Sequence, residues 1–166
     1  MLPHVELLTQ VEAQYKLNNM LYNNAASMQY RKFGEVAYTL RLTDKMERLV
    51  NPDFGGENNT FEDVIRDAIS YIFMFVGDLI ANCKEPSDNR NVKETISQIN
   101  AMSAVSASGI RNMSDAFEFS WLGDGASISE VPYNMYSCRD TSFMDYLNFA
   151  AYLITQYIER VSSEWK

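Results

Sequence analysis

Two charged segments between residues 41 and 71 carry the side chains best suited to chemistry. The first places Asp44 and Glu47 three residues apart, and the second places Asp63 and Asp67 four residues apart. Because residues three or four apart share one face of a helix, each pair can present two carboxylates together. Four carboxylates between two antiparallel helices would suit Mg²⁺, which prefers oxygen ligands.

A basic row accompanies these acids. Arg41, Lys45 and Arg48 recur at four- and three-residue spacing, so they could bind phosphates while the acids hold a metal. The alternative is that these residues form salt bridges along two solvent-exposed helix faces. Glu62 and Asp63 also fit the first turn of a helix, where acids offset the helix dipole. The residues alone leave both interpretations open.

The spacing of apolar residues predicts an all-α fold, a bundle of about five helices. We expect helices over residues 3–28, 35–50, 60–83, 92–109 and 141–165, with the third, most apolar helix at the centre. Gly34 is expected to end a helix, and Thr60 is expected to cap one together with Asp63. Residues 51–59 and 84–91 read as connections. The irregular stretch 123–140 is a lid, a partner-binding loop or a hairpin.

The whole chain, 1–166, is predicted to be a single domain, with a half-boundary at the 84–91 linker. Thr-Phe-Glu-Asp at 60–63 is echoed by Ser-Phe-Met-Asp at 142–145. This echo suggests either a degenerate internal helical repeat or two separately capped helices. In the repeat interpretation the second half is structural, because Asn148 and Phe149 replace the charges of Arg66 and Asp67.

The first predicted helix contains four asparagines: Asn18, Asn19, Asn23 and Asn24. Asparagine is a poor helix former and prefers caps and turns, so these residues indicate either a break or a polar face turned to a ligand.

The net charge of −8 argues against binding duplex nucleic acid, which needs a basic patch. It is compatible with a nucleotide ligand, and also with a basic protein partner. His4 is the only histidine, which argues against Ser-His-Asp catalysis. Cys83 and Cys138 are distant in sequence and are expected to be free thiols, although one disulfide is possible. We see neither a signal peptide nor a membrane-spanning run, so we expect a cytoplasmic protein without membrane contact.

The order of residues resembles the nucleotide-modification-associated family of phage genomes, which is related to the MazG-like all-α nucleotide pyrophosphohydrolases. The resemblance covers about a quarter of the chain and rests on these residues: Phe33-Gly34-Glu35, Arg41-Leu42, Asp44-Lys45, Arg48-Leu49, Glu62-Asp63, Asp67 and Tyr71.

This resemblance implies an all-α homo-oligomer that handles a nucleoside phosphate with Mg²⁺. Carried over to this chain, Glu47, Glu62, Asp63 and Asp67 would hold the metal, with the last three as catalytic residues that activate a water. Lys45 and Arg48 would contact phosphate. The MazG motifs Glu-Glu-x-x-Glu and Glu-x-x-Asp are missing, which keeps a nucleotide-binding member without catalysis open.

Two functions follow as hypotheses. The first is a Mg²⁺-dependent nucleotide-binding protein that hydrolyses a nucleoside triphosphate to the monophosphate and pyrophosphate. The second is a non-enzymatic acidic phage or mobile-element protein that binds a host protein or sequesters a nucleotide signal.

Overall fold

The computed structural model describes residues 2–22, 25–51, 60–81 and 90–161, and their regular structure is entirely helical. The all-α prediction is therefore confirmed. A π-helical turn at Glu118–Leu122 continues the sixth helix, and a 3-10 turn at Ile128–Glu130 precedes the seventh. The α-helices are α1 (Pro3–Tyr22), α2 (Ala25–Phe33), α3 (Val36–Val50), α4 (Phe61–Ala81), α5 (Arg90–Ser103), α6 (Ala107–Phe117), α7 (Val131–Ser137) and α8 (Phe143–Val161).

The described chain has eight α-helices, so the expected number of about five is wrong. The predicted first helix divides into α1 and α2. The predicted fourth helix divides into α5 and α6, because the Ser106 hydroxyl accepts from the Gly109 N–H and caps a new helix. The irregular stretch 123–140 contains α7, whose first turn holds Pro132, a residue that fits the start of a helix.

The helix α4 is the centre of the bundle, as its apolar sequence predicts. It packs against five other helices, α1, α2, α3, α5 and α8. The side chains of Ile65, Ile69, Ile72 and Phe73 are fully buried. Since burying one such side chain contributes about 1.5–3 kcal/mol, this helix supplies much of the hydrophobic stabilisation.

The helices α3 and α4 run antiparallel along the face that matters most below. Arg41 contacts Tyr71, and four residues further along α3 Lys45 contacts Asp67. The residue numbers in α4 therefore fall as those in α3 rise, which is the pattern of two antiparallel helices. The antiparallel packing assumed for the acidic segments is therefore present.

The two echoing segments begin helices in related ways. The Asp63 N–H donates to the Thr60 hydroxyl at 3.2 Å, at the start of α4. At the start of α8, the Ser142 N–H donates to the Asp145 carboxylate at 2.8 Å. These are the two halves of a capping box. Capping at the starts of α4 and α8 is enough to explain why residues 60–63 and 142–145 are similar in sequence. An internal repeat stays a prediction.

Several predicted features fall partly or wholly outside the described ranges. Most of the 51–59 loop and of the 84–91 linker lies there, as do Asn23, Asn24 and Cys83. Cys138 is exposed and is a free thiol. Within the described ranges, every helix is too short or too polar to cross a membrane.

Candidate functional site

Of the charged residues predicted to form a site, Lys45 and Asp67 meet across the α3–α4 contact, as an ion pair. The Lys45 Nζ lies 3.2 Å from the Asp67 Oδ2 and joins the two helices. The Lys45 side chain is only 16% exposed, so its ammonium lies in a partly desolvated position. This pair therefore connects the basic row directly to the second acidic segment.

The other predicted carboxylates are distributed along their own helices. Asp44 pairs with Arg48 one turn later in α3, at 3.3 Å. Asp63 pairs with Arg66 in α4, at 2.8 Å, and also accepts a hydrogen bond from the Thr60 hydroxyl. Among the described residues, Glu47 and Glu62 take part in no ion pair. The salt-bridge interpretation thus describes most of these charges.

The acids do not form a ready metal site in this arrangement. Within the part of the chain that the structure describes, no group of three or more His, Cys, Asp or Glu residues could hold a metal ion. Asp44, Asp63 and Asp67 each contact a cation instead. The described acids therefore supply ion-pair partners in place of a three-ligand metal group, and the Mg²⁺ assignment stays a prediction.

Arg41 differs from the other predicted basic residues. One guanidinium nitrogen, Nη1, donates to the Tyr71 hydroxyl at 3.1 Å, and Nη2 donates to the Gln29 side-chain oxygen at 2.6 Å. No described carboxylate lies within ion-pair distance of Arg41. Two neutral groups thus orient a half-buried cation whose charge is not offset by an ion pair.

Two neighbouring cavities meet at Arg41 and Tyr71, which line both of them. We call the two cavities together the Arg41 cleft. The first cavity, of about 610 Å³, lies between α2, α3 and α4 and has an apolar wall of Phe33, Val36 and Leu40. Phe33 and Leu40 are 61% and 65% exposed, so this wall is open to a ligand.

The second cavity, of about 560 Å³, is more polar. It lies between α1, the start of α2, and the neighbouring faces of α3 and α4. Asn18 and Asn19 lie inside α1, not at its end, and both line this cavity. The expectation of a break at these two residues is therefore wrong, and the polar-face interpretation fits their position. The remaining lining residues are Gln14, Tyr15, Ala25, Ala26, Asp67, Ser70 and Met74.

A buried carboxylate holds the helices that surround the cleft. Asp78 is fully buried in α4. Its Oδ2 accepts hydrogen bonds from the Tyr38 hydroxyl of α3 at 2.5 Å and from the Ser27 hydroxyl of α2 at 3.0 Å. A buried carboxylate is tolerated only when donors satisfy it. This cluster therefore fixes α2 and α3 against α4.

The tyrosines of this region keep their protons. Burial first, and then the charge of Asp78, raises the pKa of Tyr38 well above its ordinary value of 10.0. Burial likewise raises the pKa of Tyr15, with a smaller contribution from Asp78. Both hydroxyls therefore stay protonated at neutral pH, and the Tyr38 hydroxyl donates to Asp78.

The residues that sequence reasoning missed are Gln29, Tyr38, Asp78 and Ser27. Asp78 did carry a signal, because it is an acid within the most apolar stretch of the chain and such an acid must find donors. Gln29 carried no signal, since its role depends on how α2 approaches α3. Tyr71 was noted only as part of the family resemblance.

Comparison with protein-family models, with curated proteins and with solved structures found no match.

Proposed function

We propose that this chain binds a nucleotide in the Arg41 cleft, with a phosphate group at Arg41. The observation that carries the proposal is the position of Arg41: it lines both cavities and forms no ion pair with a described carboxylate. An oriented cation at the junction of two cavities suits a ligand with an anionic centre and larger groups attached to it.

The guanidinium of Arg41 is arranged for phosphate. An arginine has five N–H donors in a planar fork that matches two phosphate oxygens. Tyr71 and Gln29 use one N–H of each terminal nitrogen, and the remaining donors can bind oxygen. Because these contacts fix the guanidinium beforehand, less conformational entropy is lost on binding. Lys45, four residues away, also lines the first cavity, although its charge is offset by Asp67.

The size and lining of the cavities support a nucleoside attached to that phosphate. Each cavity falls within the range of about 300–1,000 Å³ that is typical of small-molecule sites. Such sites combine apolar walls with a few well-placed polar groups. Phe33 and Leu40 supply an apolar wall in the first cavity, whereas Asn18 and Asn19 supply polar groups in the second.

The proposal is nucleotide binding. Hydrolysis of a bound nucleoside triphosphate to the monophosphate and pyrophosphate is a further reaction to be tested by assay. It requires a water activated beside the phosphates. Asp44 and Asp67 are the acids that line the cleft and are therefore the candidates for this role, although each contacts a cation. Pyrophosphate release should therefore be measured with every nucleotide that binds, in Mg²⁺ and without it.

Thermal unfolding against a panel of nucleoside mono-, di- and triphosphates tests the binding proposal. Phosphate and pyrophosphate serve as controls for simple anion binding, and each ligand is added with and without Mg²⁺. A ligand at about a hundred times its dissociation constant should add roughly 2.7 kcal/mol to the stability. A midpoint that no nucleotide raises above the phosphate controls would reject the proposal.

A protein interface is the second candidate function, and one observation favours it. Leu17, Met20 and Leu21 share one face of α1 and are all more than half exposed, Met20 by 82%. An apolar stripe on a surface helix is a common protein contact. Met20→Glu should then convert an oligomer or a complex to the free chain, as measured by light scattering. An unchanged mass would reject this candidate.

A further inference from the structure

A third cavity, of about 620 Å³, lies where the start of α3, the ends of α4 and α7 and the start of α8 come together. We call it the Glu35 cavity. It shares no lining residue with the Arg41 cleft. Its volume falls within the range that is typical of small-molecule sites, so it is large enough for a ligand of its own.

Two opposite charges line the Glu35 cavity without pairing with each other. Glu35 is the N-cap residue of α3, and Arg139 lies in the connection from α7 to α8. Both residues are exposed, and in the described part of the chain neither takes part in an ion pair. Since both line the same cavity, a ligand bound there meets an accessible carboxylate and an accessible guanidinium.

The hydroxyl of a buried tyrosine is a third polar group of this cavity. Tyr146 of α8 is 3% exposed and lines the cavity. No described residue forms a hydrogen bond with its hydroxyl, and this atom is not among the unpaired polar atoms that are closed off from solvent. Burial first, and then the charges of Glu35 and Asp145, raise the pKa of Tyr146. The hydroxyl is therefore protonated, open to the cavity and under the influence of the Glu35 carboxylate.

The cavity also has an apolar wall that a ligand can cover. Ile80, near the end of α4, and Phe143, at the start of α8, are 46% and 44% exposed. Leu79 and Met135 also line the cavity and are more buried. Moving exposed apolar surface out of water is favourable, so an apolar group in the cavity would be stabilised there.

We propose that the Glu35 cavity binds a free amino acid with a large apolar side chain. The ammonium group donates to the Glu35 carboxylate and to the Tyr146 hydroxyl oxygen. The carboxylate accepts from Arg139, whose planar fork matches two carboxylate oxygens, and the side chain covers the apolar wall. A ligand with a single charge would leave either Glu35 or Arg139 without a partner. This inference is independent of nucleotide binding.

Matched ligands that differ by one charged group test this inference. We would measure by calorimetry, at about pH 6.5, the affinities of leucine and phenylalanine, of their amides, which lack the carboxylate, and of 4-methylpentanoate and 3-phenylpropionate, which lack the amine. At least one amino acid should bind roughly tenfold or more tightly than both of its analogues, because each analogue loses a charge-assisted hydrogen bond. Glycine, which lacks the apolar side chain, should bind more weakly than either amino acid.

Two variants assign the charges to the two ends of the ligand. Glu35→Gln should abolish the preference for the amino acid over its amine-free analogue and keep the preference over the amide. Arg139→Ala should do the reverse. A variant that only disturbs the fold would weaken all ligands alike. Glu118→Gln, at an exposed glutamate outside the cavity, is the matched control and should bind like wild type.

The thiol of Cys138 reports whether the ligand occupies this cavity. Cys138 is exposed and lines the Glu35 cavity, so a saturating amino acid should slow its alkylation by N-ethylmaleimide. Mass spectrometry of the peptide that contains Cys138 follows the reaction separately from that of Cys83.

Three results would each overturn the inference. An amino acid that binds no more tightly than its single-charge analogues, or does not bind, would show that the two charges do not act together. Equal weakening of all ligands by Glu35→Gln and Arg139→Ala would remove the assigned contacts. Alkylation of Cys138 at the same rate with and without ligand would place binding elsewhere. None of these results bears on nucleotide binding at the Arg41 cleft.

Discussion

The Tyr38 hydroxyl donates a 2.5 Å hydrogen bond to the Asp78 carboxylate, and this buried contact joins α3 to α4. Ser27 of α2 donates to the same oxygen, so three helices around the Arg41 cleft meet at one carboxylate. Met74, which lines the second cavity, lies one turn before Asp78 in α4. The geometry of the cleft therefore depends on a polar cluster inside the core.

Replacing Tyr38 by phenylalanine should destabilise the protein. The variant keeps the ring, which stacks on Phe75 at 4.8 Å, but removes one donor to a fully buried carboxylate. We expect a loss of about 1–3 kcal/mol in the free energy of unfolding, measured with urea at pH 7. Tyr133→Phe, at an exposed tyrosine, is the control. Equal stability of the two variants would contradict the role given to Tyr38.

The same tyrosine should make stability depend on alkaline pH. An unfolded tyrosine loses its proton near pH 10, whereas the pKa of folded Tyr38 lies well above that value. Above this pH the unfolded state binds fewer protons, so stability falls as the pH rises. The contribution is complete below about pH 10 and is lost as the pH approaches the raised pKa.

Urea unfolding between pH 8 and pH 11 measures this effect, and Tyr38→Phe should show a shallower decline than wild type. The remaining decline is expected from Tyr15, Tyr146 and Tyr152, whose pKa values burial also raises. A decline of the same slope in wild type and variant would show that Tyr38 does not contribute.

Much of the fold was predictable because it depends on local sequence. The apolar spacing in α4, the stop at Gly34 and the cap at Thr60 are short-range features, and all three are confirmed. The number of helices was not predictable in the same way. The turn between α5 and α6 depends on a single serine cap, and several serines in that tract could have served equally well.

Gly34 should be required at the turn between α2 and α3. Its φ of +80° is a conformation that glycine adopts without strain, and its N–H donates to the Tyr30 carbonyl at 2.7 Å. Gly34→Ala should cost about 1–2 kcal/mol of stability, because the alanine Cβ crowds the following carbonyl oxygen in this conformation. Gly34→Asn should cost less, since asparagine tolerates this region better. Equal loss in the two variants, measured by thermal unfolding, would indicate that another property of Gly34 matters.

The variant Asp67→Asn distinguishes between two roles of Asp67, as the ion-pair partner of Lys45 and as a metal ligand. Asp67→Asn removes the partner of Lys45, and we expect it to lower stability by about 0.2–1 kcal/mol. It also leaves the Lys45 ammonium available to a phosphate, so nucleotide affinity should be unchanged or higher, with or without Mg²⁺. Asp63→Asn, which breaks an ion pair within α4, is the comparison.

A different result for Asp67→Asn would support the metal assignment. If Asp67 is a Mg²⁺ ligand, the variant should bind nucleotide equally in the presence and absence of Mg²⁺, whereas wild type should gain affinity from the metal. Titration of both proteins at two Mg²⁺ concentrations distinguishes these results.

The candidate site was predictable only in part. Spacing placed Arg41, Lys45, Asp44 and Asp67 on facing surfaces, and the structure brings all four to one cleft. Spacing could not show which charges would pair, because the partner of a carboxylate can lie one turn away, as Arg48 does for Asp44, or on the facing helix, as Lys45 does for Asp67. Nor could it show that Gln29 would reach Arg41, since that contact requires the turn at Gly34.

The most direct measurement is the affinity of wild-type protein and of Arg41→Ala for the nucleotide that raises the unfolding midpoint most. Charge-assisted hydrogen bonds contribute about 1.5–3 kcal/mol, so Arg41→Ala should bind at least roughly tenfold more weakly. Arg139→Ala, at an exposed arginine outside the cleft, should bind like wild type. Equal affinities of Arg41→Ala and wild type would contradict the assignment of the phosphate to Arg41.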